Sequence, residues 1–169
     1  IRMIDNEAKA HKEGKPAHII MKCNGLTEPK VIQALYKASQ AGVPIDLIIR
    51  GMCCLRPGVP GVSETIRVRS IVGRFLEHTR TYYFANAEPT VFCASADLME
   101  RNLNHRVETC FPVQQPELAE RIRKDLELYL SDNLRSWQLD TKGSYSANSP
   151  KAEEPQIGAQ EELLKLLSN

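Results

Sequence analysis

Between His78 and Asp97 the chain reads H-T-R-T-Y-Y-F, then nine residues, then A-S-A-D. This places an imidazole, a guanidinium, a hydroxyl and a carboxylate at the ends of two short β-rich runs, a set suited to gripping and transferring a phosphoryl group. Upstream, Arg50 closes the apolar run P-I-D-L-I-I-R-G-M-C, and a charge at a strand end is aimed at a pocket or met by a local carboxylate. From Arg50 to Arg106 every basic residue is arginine: Arg50, Arg56, Arg67, Arg69, Arg74, Arg80, Arg101 and Arg106. A guanidinium fork matches two phosphate oxygens where an ammonium offers only a point charge. Most of the eight read as cover for a solvated face; Arg50 and, more weakly, Arg80 are the candidates for phosphate, with Lys22 a further weak candidate.

These groups need a scaffold, and the pattern supplies an α/β one. A helical spacing (Ile1, Ile4, Ala8, His11) opens the chain, and A-H-I-I-M-K-C follows as a strand ending near Asn24, with Lys22 and Asn24 expected to point the same way. Thr27 is placed to cap a second helix, Pro29 fits its first turn, Val31, Leu35 and Ala38 form its buried stripe, and Gly42 and Pro44 end it. A second strand runs from Ile45 to Arg50. Strand, helix and strand in this order imply a right-handed crossover with parallel pairing, and ligands gather beyond the carboxyl ends of such strands. Lys22, Asn24 and Arg50 lie there, and the Gly- and Pro-rich segment 51–63 would wall the site.

Ile66 to Val72 is compatible with strand or short helix. R-T-Y-Y-F and T-V-F-C-A form a hairpin across A-N-A-E-P, with His78 and Arg80 on one face of its first strand, and R-V-E-T-C-F-P-V is a last strand. The longest helix is expected from Pro116 to about Trp137, on Leu118, Ile122, Leu126, Tyr129 and Asn133 or Leu134. Residues 1–139 thus form one domain and 140–169 a polar linker ending in a short amphipathic helix, Q-E-E-L-L-K-L-L, that must dock on this domain or a neighbour.

With 169 residues, 42% of them hydrophobic, the chain supports a single core. A net charge of +1 gives no global field toward nucleic acid, so anion recognition must be local. Five cysteines without a C-x-x-C pair read as reduced thiols, no run approaches a membrane span, and a cytoplasmic location follows, membrane association being left open. The start at Ile1, inside a helical pattern, reads as an excised piece of something longer.

The segments K-C-N-G-L, A-G-V-P-I-D-L-I-I-R-G-M-C, I-V-G-R-F-L-E-H-T-R and A-S-A-D-L-M-E-R-N-L resemble the carboxyl-terminal part of the bacterial polyphosphate kinase family, whose last two domains have the phospholipase D fold. The resemblance implies a phospholipase D-like mixed sheet flanked by helices. It implies reversible transfer of the terminal phosphate of ATP to inorganic polyphosphate through a phosphohistidine on the preceding domain, with magnesium accompanying the nucleotide and a homo-oligomeric full-length enzyme. The family's nucleotide-binding arginine falls on Arg50 and its second active-site histidine on His78. On this reading the fragment alone is inactive, and no residue here is a dedicated metal ligand. The phospholipase D superfamily pattern is degenerate, as His78-Thr79-Arg80 and Ser95-Ala96-Asp97, and Asp97 in place of a neutral donor would repel phosphate unless paired. The alternative functions are a phospholipase D-like phosphodiesterase or nuclease acting as a dimer, against which Glu77 and the arginine in H-x-R weigh, and a non-catalytic assembly module.

Overall fold

The first strand sets the layering of the whole molecule. In the computed structural model, which describes residues 1–168, β1 (Ile19–Cys23) is buried along its full length. Its odd residues, Ile19, Met21 and Cys23, join a core cluster with Ile4 of α1 (Arg2–Lys12) and Val31, Leu35 and Ala38 of α2 (Pro29–Gln40). Its even residue Ile20 joins the opposite cluster with Ile48 and Leu126. Alternation with period two therefore forces helices onto both faces.

The expected crossover is present. β1 pairs in parallel with β2 (Ile45–Ile49), which pairs in parallel with β3 (Ile66–Ile71). The 66–72 segment, compatible with either state in sequence, is thus a strand. Gly42 takes φ +93, a left-handed conformation that ends α2 without the penalty a side chain would bring. The N-cap of α2 is Glu28 rather than Thr27: its carboxylate accepts from Lys30 N at 3.4 Å, while Thr27 N donates to Leu98 O across the sheet end.

On the other side β1 pairs antiparallel with β4 (Thr81–Phe84), β4 with β5 (Val91–Ala94), and β5 with the short edge strand β6 (Cys110–Pro112). Beyond β3 lie β7 (Ser136–Leu139) and β8 (Tyr145–Ala147), completing an eight-stranded mixed sheet in the order β6-β5-β4-β1-β2-β3-β7-β8. Two elements differ from the sequence reading. The long helix, α4 (Pro116–Ser131), stops before Trp137 because Asp132 turns its Oδ1 onto Leu134 N (3.1 Å) and Arg135 N (2.7 Å), diverting the chain into β7. The segment read as a linker carries β8, paired with β7, before the terminal helix α5 (Ala159–Leu167). A short helix, α3 (Glu100–His105), follows β5. No helix of the described residues is long and apolar enough to cross a membrane.

Candidate active site

Three loops meet beyond the carboxyl ends of the parallel strands. Leu26, just after β1, makes isolated bridges to Cys53 and to Leu98, tying the exits of β1, β2 and β5 together. Leu26 N donates to Met52 O (2.9 Å) and Leu98 N to Gly25 O (3.0 Å), so the three exits are held by backbone as well as by the burial of Leu26.

Across this junction runs a continuous chain of polar side chains. Arg50 donates from Nε to Asn24 Oδ1 at 2.9 Å, and Asn24 donates from Nδ2 (3.1 Å) and from its backbone N (2.7 Å) to Asp97 Oδ1. Arg80 grips the same carboxylate through Nε to Oδ1 (3.1 Å) and Nη2 to Oδ2 (2.9 Å). Its remaining Nη1 lies 3.2 Å from His78 Nδ1 and donates to His78 O at 3.0 Å. A guanidinium can only donate, so His78 Nδ1 accepts and the imidazole carries its proton on Nε2. Burial pushes the Asp97 carboxyl up, but hydrogen bonds from Arg80 and Asn24 outweigh it and hold the group below the usual value of 3.8. The hydrogen bonds that Arg80 donates to Asp97 in turn raise Arg80 against the cost of burial. The carboxylate that replaces a neutral donor in the degenerate motif is therefore paired.

Arg50, Arg80, His78 and Asp97 are thus brought together, with Asn24 as the joint between them. Lys22 goes elsewhere. It is 2% exposed, and its ammonium contacts Glu77 Oε2 at 2.8 Å and Thr79 Oγ1 at 2.6 Å, 4.8 Å from the Tyr129 ring centre. β1 ends at Cys23, so the alternation does not extend to Asn24, and Lys22 and Asn24, expected to point the same way, have separate partners. Ser95 hydrogen-bonds Glu108 and Thr109 N, outside the chain.

Arg50 and His78 line neighbouring clefts rather than a single one. The first, about 460 Å³, is formed by Arg50, Val72, Gly73 and Arg74; the second, about 250 Å³, by His78, Thr79, Tyr129 and Leu163. Phe75, Leu76 and Glu77 form the wall common to both. Glu77 was visible in sequence only as a departure from a nuclease-like motif. Gln160, which donates to it at 2.6 Å from 83 residues away, was legible only as the start of the amphipathic helix Q-E-E-L-L-K-L-L, with nothing to mark its partner.

The family model described as polyphosphate kinase C-terminal domain 2 matches residues 1–160. The chain belongs to the polyphosphate kinase family. This polyphosphate kinase domain is 56% identical over 169 residues to a polyphosphate kinase of Pseudomonas aeruginosa strain PAO1, and 57% identical over 168 residues to one of Pseudomonas putida strain KT2440. Those matches take in 99% of the chain but 24% and 23% of the relatives, so the domain spans about a quarter of their length. The crystal structure of polyphosphate kinase from Porphyromonas gingivalis superposes with a TM-score of 0.93 at 40% identity, over 99% of this chain and 26% of that one. A phospholipase D family member, Nuc from Salmonella typhimurium, superposes with a TM-score of 0.52 at 17% identity, over 85% of this chain and 90% of that one, a likeness of fold. The expected phospholipase D-like mixed sheet is therefore the fold of this polyphosphate kinase domain.

Proposed function

We propose that the domain forms one wall of a polyphosphate kinase active site in a cytoplasmic, homo-oligomeric enzyme. There the terminal phosphoryl group of ATP passes reversibly to inorganic polyphosphate through a phosphohistidine on the preceding domain. Two displacements at phosphorus accomplish this. The preceding domain's imidazole nitrogen forms a bond to the γ-phosphorus while the bond to the β,γ-bridging oxygen breaks, and ADP departs with the electron pair. A terminal oxygen of polyphosphate then attacks that phosphorus, the nitrogen–phosphorus bond breaks, and the imidazole regains its electron pair. Splitting the transfer in this way keeps the activated phosphoryl group on the protein and away from water.

The observation that carries this reading is the unbroken side-chain chain from Arg50 through Asn24, Asp97 and Arg80 to His78. It supports Arg50 as the cation facing the phosphoryl oxygens and His78 as the opposing imidazole, donating from Nε2–H to a leaving phosphate oxygen. Among the described residues no group of three or more His, Cys, Asp or Glu side chains could hold a metal ion. On this reading magnesium enters with the nucleotide, as part of the substrate.

The test is His78→Ala in the full-length enzyme. Polyphosphate synthesis should fall by about 10²-fold or more, the scale of a lost general acid, with an unchanged circular dichroism spectrum. Undiminished turnover would remove the assignment. Hydrolysis of a model phosphodiester by the 169-residue chain alone would favour the phosphodiesterase reading instead.

A further inference from the structure

We propose that Gln160, with the buried Lys22–Glu77 pair it completes, is a positioning residue for His78, so that α5 works as a strap of the active site. The inference rests on the role given to His78 above. His78 stands on a segment, 72–80, that falls between β3 and β4 and belongs to neither strand. Side-chain burial does not anchor it either, because Phe75 is 45% and Leu76 69% exposed.

The hold comes from polar groups on the inner side. The Gln160 carboxamide pairs both backbone groups of Phe75: it accepts from Phe75 N at 2.9 Å and donates to Phe75 O at 2.9 Å, as a neighbouring strand's peptide would. The same Nε2 donates to Glu77 Oε1 at 2.6 Å, and the second oxygen of Glu77 meets Lys22 Nζ. Lys22 also donates to Thr79, so it grips the residues on either side of His78 while leaving the imidazole to face Arg80.

Close approach is built in as well. A Cβ at residue 73 would come within 2.8 Å of Gln160 Cδ, so only glycine admits the carboxamide there. α5 is itself fixed: Ala159 N donates to Asp132 Oδ2 at 2.7 Å, and Asn133 holds the approach through Ile157 N (2.8 Å) and Pro155 O (2.9 Å). A carboxamide 5% exposed, satisfied on both its atoms by the backbone and side chain just ahead of His78, fixes where the imidazole stands.

The experiment compares Gln160→Ala, Gln160→Glu and Glu161→Ala in the full-length enzyme. Glu161 is a control on the same helix, since its contact is with Arg135 (3.4 Å) and not with the His78 segment. Gln160→Ala should lower kcat for polyphosphate synthesis about tenfold or more with the ATP KM within about twofold, because misplacement of a reacting group costs rate rather than binding. Glu161→Ala should leave both within about twofold. Gln160→Glu keeps the shape but sets a carboxylate against Glu77 and Phe75 O. Its rate relative to wild type should recover as pH falls from ~8 to ~6, because like-charge repulsion makes the new carboxylate take a proton and regain a donor. Wild-type kcat in both Gln160 variants, or an equal kcat loss in Glu161→Ala, would overturn the inference. Undiminished turnover in His78→Ala removes the proposed function itself; undiminished turnover in the Gln160 variants beside an inactive His78→Ala removes this inference alone.

Discussion

Arg50 bonds the Asn24 member of the Asn24–Asp97 pair and Arg80 the Asp97 member, and the two are left with different capacities. Arg80 commits Nε and Nη2 to Asp97 and Nη1 to His78, so its charge is used inside the protein. Arg50 gives only Nε, to Asn24, and its two terminal nitrogens have no protein partner among the described residues. A guanidinium oriented at one edge and open at its fork suits a bidentate phosphate. In the full-length enzyme, Arg50→Ala should therefore raise the KM for ATP by about tenfold or more while changing kcat less, since a charge-assisted bidentate pair acts in the ground state too. Initial rates at varied ATP check this; an unchanged KM would move nucleotide binding elsewhere. The residue types of this site were legible in sequence because Arg50 and His78 stand in distinctive runs. Their joint was not: Asn24 acquires its role only when the exits of β1, β2 and β5 are folded onto one another.

At the scale of elements, legibility followed how much of each signal was local. The β1–α2–β2 crossover was readable because apolar runs, a proline at the first helical turn and Gly42 all act within a few residues. β3 was ambiguous because its outer face carries Arg67 and Arg69, whose partners, Asp46 and Leu130 O, lie far along the chain. The end of α4 was misplaced because Asp132 competes for the backbone and wins, while Leu118 and Leu134, counted toward its stripe, are exposed. The rest of the stripe holds the helix: Leu126, 2% exposed, packs on Ile20, Ile48 and Ile71 with Tyr129 beside it, and Ile122 packs with Ala119 on Val91 and Val113. Leu126→Ala should cost about 2–5 kcal/mol, the range for a buried leucine whose cavity relaxes only partly. Urea unfolding would show it as a lower midpoint at unchanged slope. A loss under about 1 kcal/mol would mean that α4 is held by something other than this contact.

Taken as a whole, the molecule has a net charge of only +1 at neutral pH, so self-repulsion is small there, and the onset of its response to acid depends on carboxylates whose folded values are shifted. Two stand out, and they share no partner. Asp97 closes the site chain, while Asp46 on β2 is met by His18 Nε2 at 2.8 Å and by Arg67 through Nε and Nη2, both at 2.8 Å. In each case burial pushes the carboxyl up, and hydrogen bonds, from His18 and Arg67 for Asp46 and from Arg80 and Asn24 for Asp97, carry it below the ordinary 3.8. A carboxyl depressed in the folded state contributes stability that is fully present above its unfolded value and is lost as pH falls through its folded value. The chain's urea midpoint should therefore decline as pH drops below about 4. Asp46→Asn and Asp97→Asn should each lower the midpoint at neutral pH and flatten that acid decline, and because the two sites are independent the flattening should add in the double variant. Only Asp97→Asn should also reduce turnover in the full-length enzyme, since Asp46 lies toward the far end of β2, in register with Ile20, whereas Asp97 holds the arginine beside His78. An acid decline of full slope in the double variant would show that these ion pairs do not govern the stability of the sheet at low pH.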